Sequence, residues 1–157
     1  MTITPIGIIH SPFTDIKNMP IQPAGAADVE GTVVIDEEYT AGLNDLDSFS
    51  HIYLLYHFHK TTRTALTVKP FFDTVERGVF ATRAPLRPNH IGMSIVRLVK
   101  REKNVLTVRG CDILDGTPLL DIKPYAPQFD CYPDATSGWI NVTEQDFAAK
   151  RSDERFE

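Results

Sequence analysis

The run Ser50-His51-Ile52-Tyr53-Leu54-Leu55-Tyr56-His57-Phe58-His59 narrows the fold of this 157-residue chain more than any other feature. Aromatic, aliphatic and β-branched side chains fall on both of its alternating faces. It is therefore unsuited to an exposed edge and belongs in the middle of a sheet. The strands available to flank it are short. Residues 3–13 read as a strand closed by Ser11-Pro12, residues 31–35 as a second and residues 78–82 as a third. Residues 91–99 and 105–114 form two more, joined by a charged hairpin loop at 100–104, and residues 119–122 form the last. Residues 14–27, with Pro20, Pro23 and Gly25, read as irregular loop, and residues 39–46 as a short helix or turn. Strand and helix do not alternate regularly and no GxGxxG is present, which argues against a Rossmann nucleotide site. The expected architecture is mainly β: a small antiparallel β-barrel with short helices over residues 1–140. A polar tail follows at 141–157, with a short helix expected inside it.

Hydrophobic residues make up 42% of the chain, enough for one sizeable core. No apolar run approaches the roughly 20 residues of a membrane span. The first residues lack the basic region and small-residue cleavage pattern of a signal peptide. Cys111 and Cys131 show no CxxC spacing and read as reduced, partly buried thiols, so the cytoplasm is the expected compartment. A net charge of −5 excludes a protein that wraps nucleic acid through a uniformly basic surface. Yet residues 60–109 hold eleven Lys or Arg against three Asp or Glu, while the remainder holds five against eighteen. Such asymmetry builds one positive face for a phosphate-bearing partner, or cancels by pairing between strands; both readings stay open.

No Walker loop, HExxH, GxSxG or clustered metal ligands occur, so no metal is expected. Three segments stand out nevertheless. In residues 78–94, Pro85 and Pro88 stiffen the chain beside Arg83 and Arg87, and Gly92 permits close backbone approach. Rigidly presented guanidinium groups suit a carboxylate or phosphate, or else tie down carbonyls of the loop. In residues 112–125, Asp115-Gly116 reads as a tight turn whose backbone groups are available to a ligand. Asp112, Asp115 and Asp121 with Lys123 are candidates for a buried polar network. His57 and His59, placed on one strand face by the period of two, join the loop at 22–25 as the third.

The motifs Gly78-Val79-Phe80-Ala81-Thr82-Arg83, Arg87-Pro88-Asn89-His90-Ile91-Gly92-Met93-Ser94, Asp115-Gly116-Thr117-Pro118 and Asp121-Ile122-Lys123-Pro124-Tyr125 resemble the TsaA-like family. Ile6-Gly7-Ile8-Ile9-His10-Ser11-Pro12 and Phe49-Ser50-His51 match as well, so the likeness runs in order over residues 6–134. The characterised members include TrmO-type, S-adenosylmethionine-dependent tRNA methyltransferases. This chain resembles the shorter form without an additional C-terminal domain.

That resemblance implies a β-barrel-like fold, a homodimer, and S-adenosylmethionine held near the subunit boundary. The implied reaction methylates N6 of N6-threonylcarbamoyladenosine, the base just 3′ of the anticodon in tRNA. Carried onto matching positions, the cofactor site comprises Pro23, Ala24 and Gly25, His59 and Lys60, Arg83, Met93, and Asp115, Gly116, Thr117 and Pro118. Ala24-Gly25 departs from relatives that have glycine first. Arg87, Asn89 and Lys123 are the residues expected at the substrate. Arg83 and Arg87 suit the cofactor carboxylate, the threonyl carboxylate or a phosphate alike. Because a carbamoylated N6 is a poor nucleophile until its proton leaves, a general base is expected, with His59, Asp121 and Tyr125 as candidates. Lys100, Arg101 and Lys103, at the tip of the expected hairpin, are placed to meet the phosphate backbone. Two other readings remain: an S-adenosylmethionine-binding sensing or RNA-recognition module without catalysis, and a small-molecule methyltransferase.

Overall fold

The computed structural model describes residues 1–156, apart from the side chains of Pro23, Glu144, Phe147 and Glu154; Glu157, the last residue of the expected tail, lies outside the described residues. The strands are β1 (Gly7–His10), β2 (Glu30–Ile35), β3 (His51–His57), β4 (Thr67–Val68), β5 (Arg77–Gly78), β6 (Ile91–Glu102), β7 (Val105–Arg109) and β8 (Thr117–Pro124). Two short helices follow, α1 (Pro127–Asp130) and α2 (Glu144–Ala149). Six strands close an antiparallel barrel in the order β1-β2-β7-β6-β3-β8, with β8 returning to β1, while β4 and β5 form a separate pair.

Alternation sets the faces. Ile52, Leu54 and Tyr56 of β3 point inward, while Tyr53 and Leu55 sit on the outer face. The same period sends Ile9, Val33, Val96, Leu106 and Leu119 into a single core, each fully or almost fully buried. At roughly 1.5–3 kcal/mol for each such side chain, this interior holds the barrel closed. The apolar β3 has partners on both sides, β6 and β8, so neither of its edges is open.

Three elements differ from expectation for local reasons. The strand expected at 78–82 is only the pair Arg77–Gly78, followed by a 3-10 turn at Val79–Ala81. The carbonyls a sheet would have satisfied are met instead by the Arg87 guanidinium, which donates to Val79 O at 3.1 Å and Thr82 O at 2.7 Å. Strand β3 ends at His57, because the His59 amide folds back onto the His57 carbonyl at 2.7 Å; His59 therefore lies in a turn and not on a strand face with His57. Strand β7 stops at Arg109 because Gly110 takes a φ of 85°, outside the strand region. The chain then crosses the barrel end, and Cys111 packs where Gly31 leaves room. A Cβ on Gly31 would lie 2.7 Å from the Cys111 Sγ. Cys111 is buried and Cys131 exposed, both as free thiols.

The basic hairpin also differs. β6 continues through Glu102, leaving Lys103 and Asn104 as the turn, with Lys103 at a φ of 56°. Lys100 pairs with Glu102 at 2.9 Å, and Arg101 donates to Leu43 O at 2.8 Å with Asp47 at 3.8 Å. The hairpin stands at the far end of β6 from Ile91, roughly 30 Å away by the rise of a strand.

A second, smaller core gathers Val68, Val79, Ala84 and Leu86 around Phe156 from the C-terminal segment. Helix α2 starts with a Thr143/Asp146 capping box, and the chain beyond it bridges Pro20 through Arg151. Ser152 accepts from the Asn18 amide through its carbonyl at 3.1 Å and from the Met19 amide through its hydroxyl at 2.9 Å. Arg155 lies over Phe71 and donates to Pro70 O at 2.8 Å. These contacts stand the loop at 14–27 and the second core beside one mouth of the barrel.

Candidate functional site

The mouth where β3 and β7 end and β6 and β8 begin opens into a cleft of about 880 Å³. Ordinary small-molecule sites run to roughly 300–1,000 Å³. Tyr56, Gly92, Asp112 and Thr117 form its barrel wall, Gln22 and Ala24 its loop wall, and Phe80, Arg83 and Trp139 the side toward the second core. Gly92 does serve a close approach, though to protein: a Cβ there would collide with the Tyr56 ring.

Of the residues expected at the cofactor, Ala24, His59, Lys60, Arg83, Met93 and Thr117 line this cleft, and so does Arg87. They come from distant stretches of chain, which only barrel closure brings together. Gly25 sits beside Ala24 in a 3-10 turn, its amide donating to Gln22 O at 2.9 Å; the Pro23 side chain lies outside the described residues. Asp115, Gly116 and Pro118 stand behind the wall. Asp115 accepts the Ser11 amide and His10 Nδ1, both at 3.1 Å, and the Ser11 hydrogen bond leads in holding its carboxyl below the usual range. Gly116, at a φ of 73°, donates its amide to Ile9 O, and Pro118 faces Ile8 across the sheet.

Other expected residues are not brought there. Asn89 is exposed in the turn before β6 and off the lining. Lys123 and Asp121 pair with each other at 2.9 Å on β8, and neither lines the cleft. Tyr125 packs against Tyr53 and His51, with ring centroids 5.8 Å and 6.3 Å away. Of the candidate bases, Asp121 and Tyr125 thus lie off the cleft lining and His59 lies on it. A shift of register in β8, which pairs Tyr56 with Leu119 but Leu55 with Asp121, breaks the strand period and turns Asp121 to the outer face beside Leu55, and Tyr125 follows the end of β8, remote from the mouth.

The two arginines differ. Arg83 is exposed and, among the described residues, hydrogen-bonds Gln22 Oε1 alone at 3.1 Å, leaving most of its fork open to the cleft. Arg87 is occupied with loop carbonyls and lies over the Phe80 ring at 5.7 Å. It is the tie-down of its loop. Thr117 donates to Leu114 O at 2.7 Å, so its oxygen receives His59 Nδ1 at 3.4 Å. Burial first, then Lys60 and His57, lowers the His59 pKa, against the charged imidazolium.

One group that earned no individual role from the sequence belongs to this wall. Ser94 Oγ donates to Asp112 Oδ1 at 2.7 Å, and the Tyr56 hydroxyl, 3.1 Å from Ser94 Oγ, donates in turn. Burial pushes the Asp112 carboxyl up to about 6, with the Ser94 hydrogen bond pulling the other way. The signal in the sequence was Gly110, whose conformation ends β7 and turns Asp112 to the mouth between the buried Cys111 and Ile113.

Among the described residues, no group of three or more His, Cys, Asp or Glu is placed to hold a metal ion, and no helix is long and apolar enough to cross a membrane.

Residues 8–131 match the family described as tRNA-methyltransferase O N-terminal domain. The chain is 53% identical over 152 residues to a probable S-adenosyl-L-methionine-binding protein of Pyrococcus abyssi, a match covering 97% of this chain and 83% of that protein. It is 35% identical over 144 residues to the tRNA (adenine(37)-N6)-methyltransferase of Escherichia coli K12, covering 85% of this chain and 61% of that protein. The crystal structure of TrmO from Pseudomonas aeruginosa superposes with a TM-score of 0.75 at 40% identity, over 88% of this chain and 62% of that one. The chain thus spans about three-fifths of the length of these two bacterial proteins.

Proposed function

The chain belongs to the tRNA-methyltransferase O N-terminal domain family, and from that premise we propose that it binds S-adenosylmethionine in the barrel-mouth cleft and methylates N6 of N6-threonylcarbamoyladenosine beside the anticodon of a tRNA. The observation that carries this reading is the convergence of Ala24, His59, Lys60, Arg83, Met93 and Thr117 on one cleft of about 880 Å³.

The residues present fit that cofactor. Arg83, held by Gln22 through Nη1, offers the rest of its planar fork to a carboxylate, with Lys60 adding a second positive charge. Tyr56, Phe58 and Phe80 give aromatic walls against which an adenine ring can pack. When bound, S-adenosylmethionine supplies a sulfonium whose methyl carbon is open to in-line attack. The chain's part is then alignment, which alone accounts for much of such a rate. Thr117 and His59 fix one wall, the Arg87-bound loop holds Arg83 at the other, and aromatic side chains line the side between them.

The acceptor reading draws on the same wall. Lys60 and Arg83 make the cleft rim positive on an otherwise acidic chain, which suits an anionic threonyl carboxylate or a tRNA phosphate. We place the active unit as a homodimer, because Phe80 and Met93 are 73% and 42% exposed at the cleft and a second copy would cover them. A tRNA substrate sets the site of action in the cytoplasm. Mass spectrometry of tRNA nucleosides from cells lacking the gene tests the proposal: the threonylcarbamoyl base should lose one methyl group. An unchanged nucleoside profile would turn the reading toward a small-molecule acceptor or a binding module.

A further inference from the structure

We propose that Asp112 accepts the proton that leaves the acceptor nitrogen, with its carboxylate held in the cleft wall by Ser94 and, through Ser94, by Tyr56. The proposal rests on the methyl-transfer reading and names the base that reading requires.

Two carboxylates line the cleft among the described residues, Asp112 and Asp153. Asp153 is held by the Arg155 guanidinium, at 2.9 Å and 3.1 Å from Nε and 2.8 Å from Nη2, and its pKa is lowered by that partner. Asp112 has no such neutraliser. The groups that face it are the Ser94 hydroxyl from β6, Tyr56 from β3, Cys111 from its own segment, and Arg83, which acts at longer range. Tyr56 and Cys111 are both pushed upward by burial and stay protonated, so they present no competing anion.

The remaining candidate at the cleft is His59, and burial acts on the two groups in opposite senses. Removing a carboxylate from water disfavours its charged form, which makes Asp112 a stronger base than a solvated aspartate. Removing an imidazole from water also disfavours its charged form, and Lys60 beside it adds repulsion, which makes His59 a weaker base. A proton delivered to His59 raises the positive charge next to Lys60. A proton delivered to Asp112 discharges a part-buried anion.

The step balances. The acceptor nitrogen forms its bond to the methyl carbon as the carbon–sulfur bond breaks, and the N–H proton passes to an Asp112 oxygen. A sulfonium and a carboxylate become a neutral thioether and a carboxylic acid, so both separated charges vanish within the cleft. Ser94 and Tyr56 act as positioning residues. They fix one carboxylate oxygen, and the Ser94 hydrogen bond favours the ionised form.

The test is single-turnover methyl transfer by the full chain, with saturating S-adenosylmethionine and tRNA carrying the threonylcarbamoyl base, followed from about pH 5 to 8. The wild-type rate should fall by one proton's slope on acidification through about 6. Asp112→Asn should lower it by about 100-fold or more, with the S-adenosylmethionine Kd from calorimetry within about twofold of wild type. Ser94→Ala should keep turnover at high pH and move the acid limb upward, because a hydrogen bond that favoured the carboxylate is gone. A folded Asp112→Asn protein that turns over within about threefold of wild type overturns the proposal. An acid limb unmoved by Ser94→Ala also overturns it, and decides the matter alone if Asp112→Asn fails to fold. Wild-type protein that binds S-adenosylmethionine yet transfers no methyl group to tRNA overturns the functional reading and this inference with it.

Discussion

A base kept part-buried should weaken the fold that holds it, and Asp112→Asn measures by how much. Burial lifts the Asp112 carboxyl from the ordinary 3.8 to about 6. A raised carboxyl pKa means that its stabilising share is fully present below 3.8 and is lost as pH rises through about 6. At 1.36 kcal/mol for each tenfold in proton affinity, the ionised group costs the native state about 3 kcal/mol at pH 8. An asparagine avoids that cost, since it keeps an oxygen to accept from Ser94 and turns its amide to the open cleft. About 3 kcal/mol is an upper value, corresponding to roughly 6–12 °C in Tm for a chain of this size. Thermal and urea unfolding at pH 8 and below pH 4 read the effect directly. The variant should be more stable than wild type at pH 8, and the gap should close in acid. A variant less stable at pH 8, or a gap that ignores pH, would refute the reasoning by showing that Asp112 is structural and well paired.

Other perturbations probe neighbouring walls. Arg83→Lys replaces a fork that has one partner, Gln22, and should cut methyl transfer by about tenfold or more, the scale of one charge-assisted hydrogen bond at ~1.5–3 kcal/mol; normal turnover of the folded variant removes Arg83 from the site. Replacing Lys100, Arg101 and Lys103 together with alanine should leave tRNA affinity and its salt dependence within about twofold of wild type, because the hairpin stands at the far end of β6 from the cleft and Lys100 and Arg101 are held locally. Filter-binding across a salt series checks this, and a weakened, flattened salt response puts tRNA on that end. Gly92→Ala drives a methyl group into the Tyr56 ring and should destabilise the protein by about 1–3 kcal/mol in urea unfolding.

Much of this architecture was legible before the structure, and the reasons are local. The two-faced apolar run at 50–59 required neighbours on both sides, and closure of the barrel supplies them as β6 and β8. Residues 78–82 misled because Val79 and Phe80 carry strand-like side chains; the deciding event is the distant Arg87 capturing their carbonyls, which no local pattern encodes. For the site, cofactor positions implied by resemblance fell at the cleft where their side chains project from the mouth, as with His59, Arg83 and Thr117. Asp121 and Tyr125 were read from residue type alone, and the register shift in β8 that carries Asp121 to the outer face breaks the period of two that a sequence displays. Asp112 stood out only as one carboxylate of an expected polar network, because its turn to the mouth depends on Gly110 breaking the strand expected at 105–114. The positive balance of 60–109 likewise dissolved in part, since Arg77, Lys100 and Arg109 each pair with an acidic neighbour.

The most direct test of the account is reconstitution from purified parts. The full chain is incubated with methyl-labelled S-adenosylmethionine and tRNA bearing N6-threonylcarbamoyladenosine, and the tRNA is digested to nucleosides for mass spectrometry. The account predicts one labelled methyl group on N6 of that nucleoside, and no label on the same tRNA lacking the threonylcarbamoyl group. Label on another nucleoside, or none on tRNA from a protein that binds the cofactor, would contradict it.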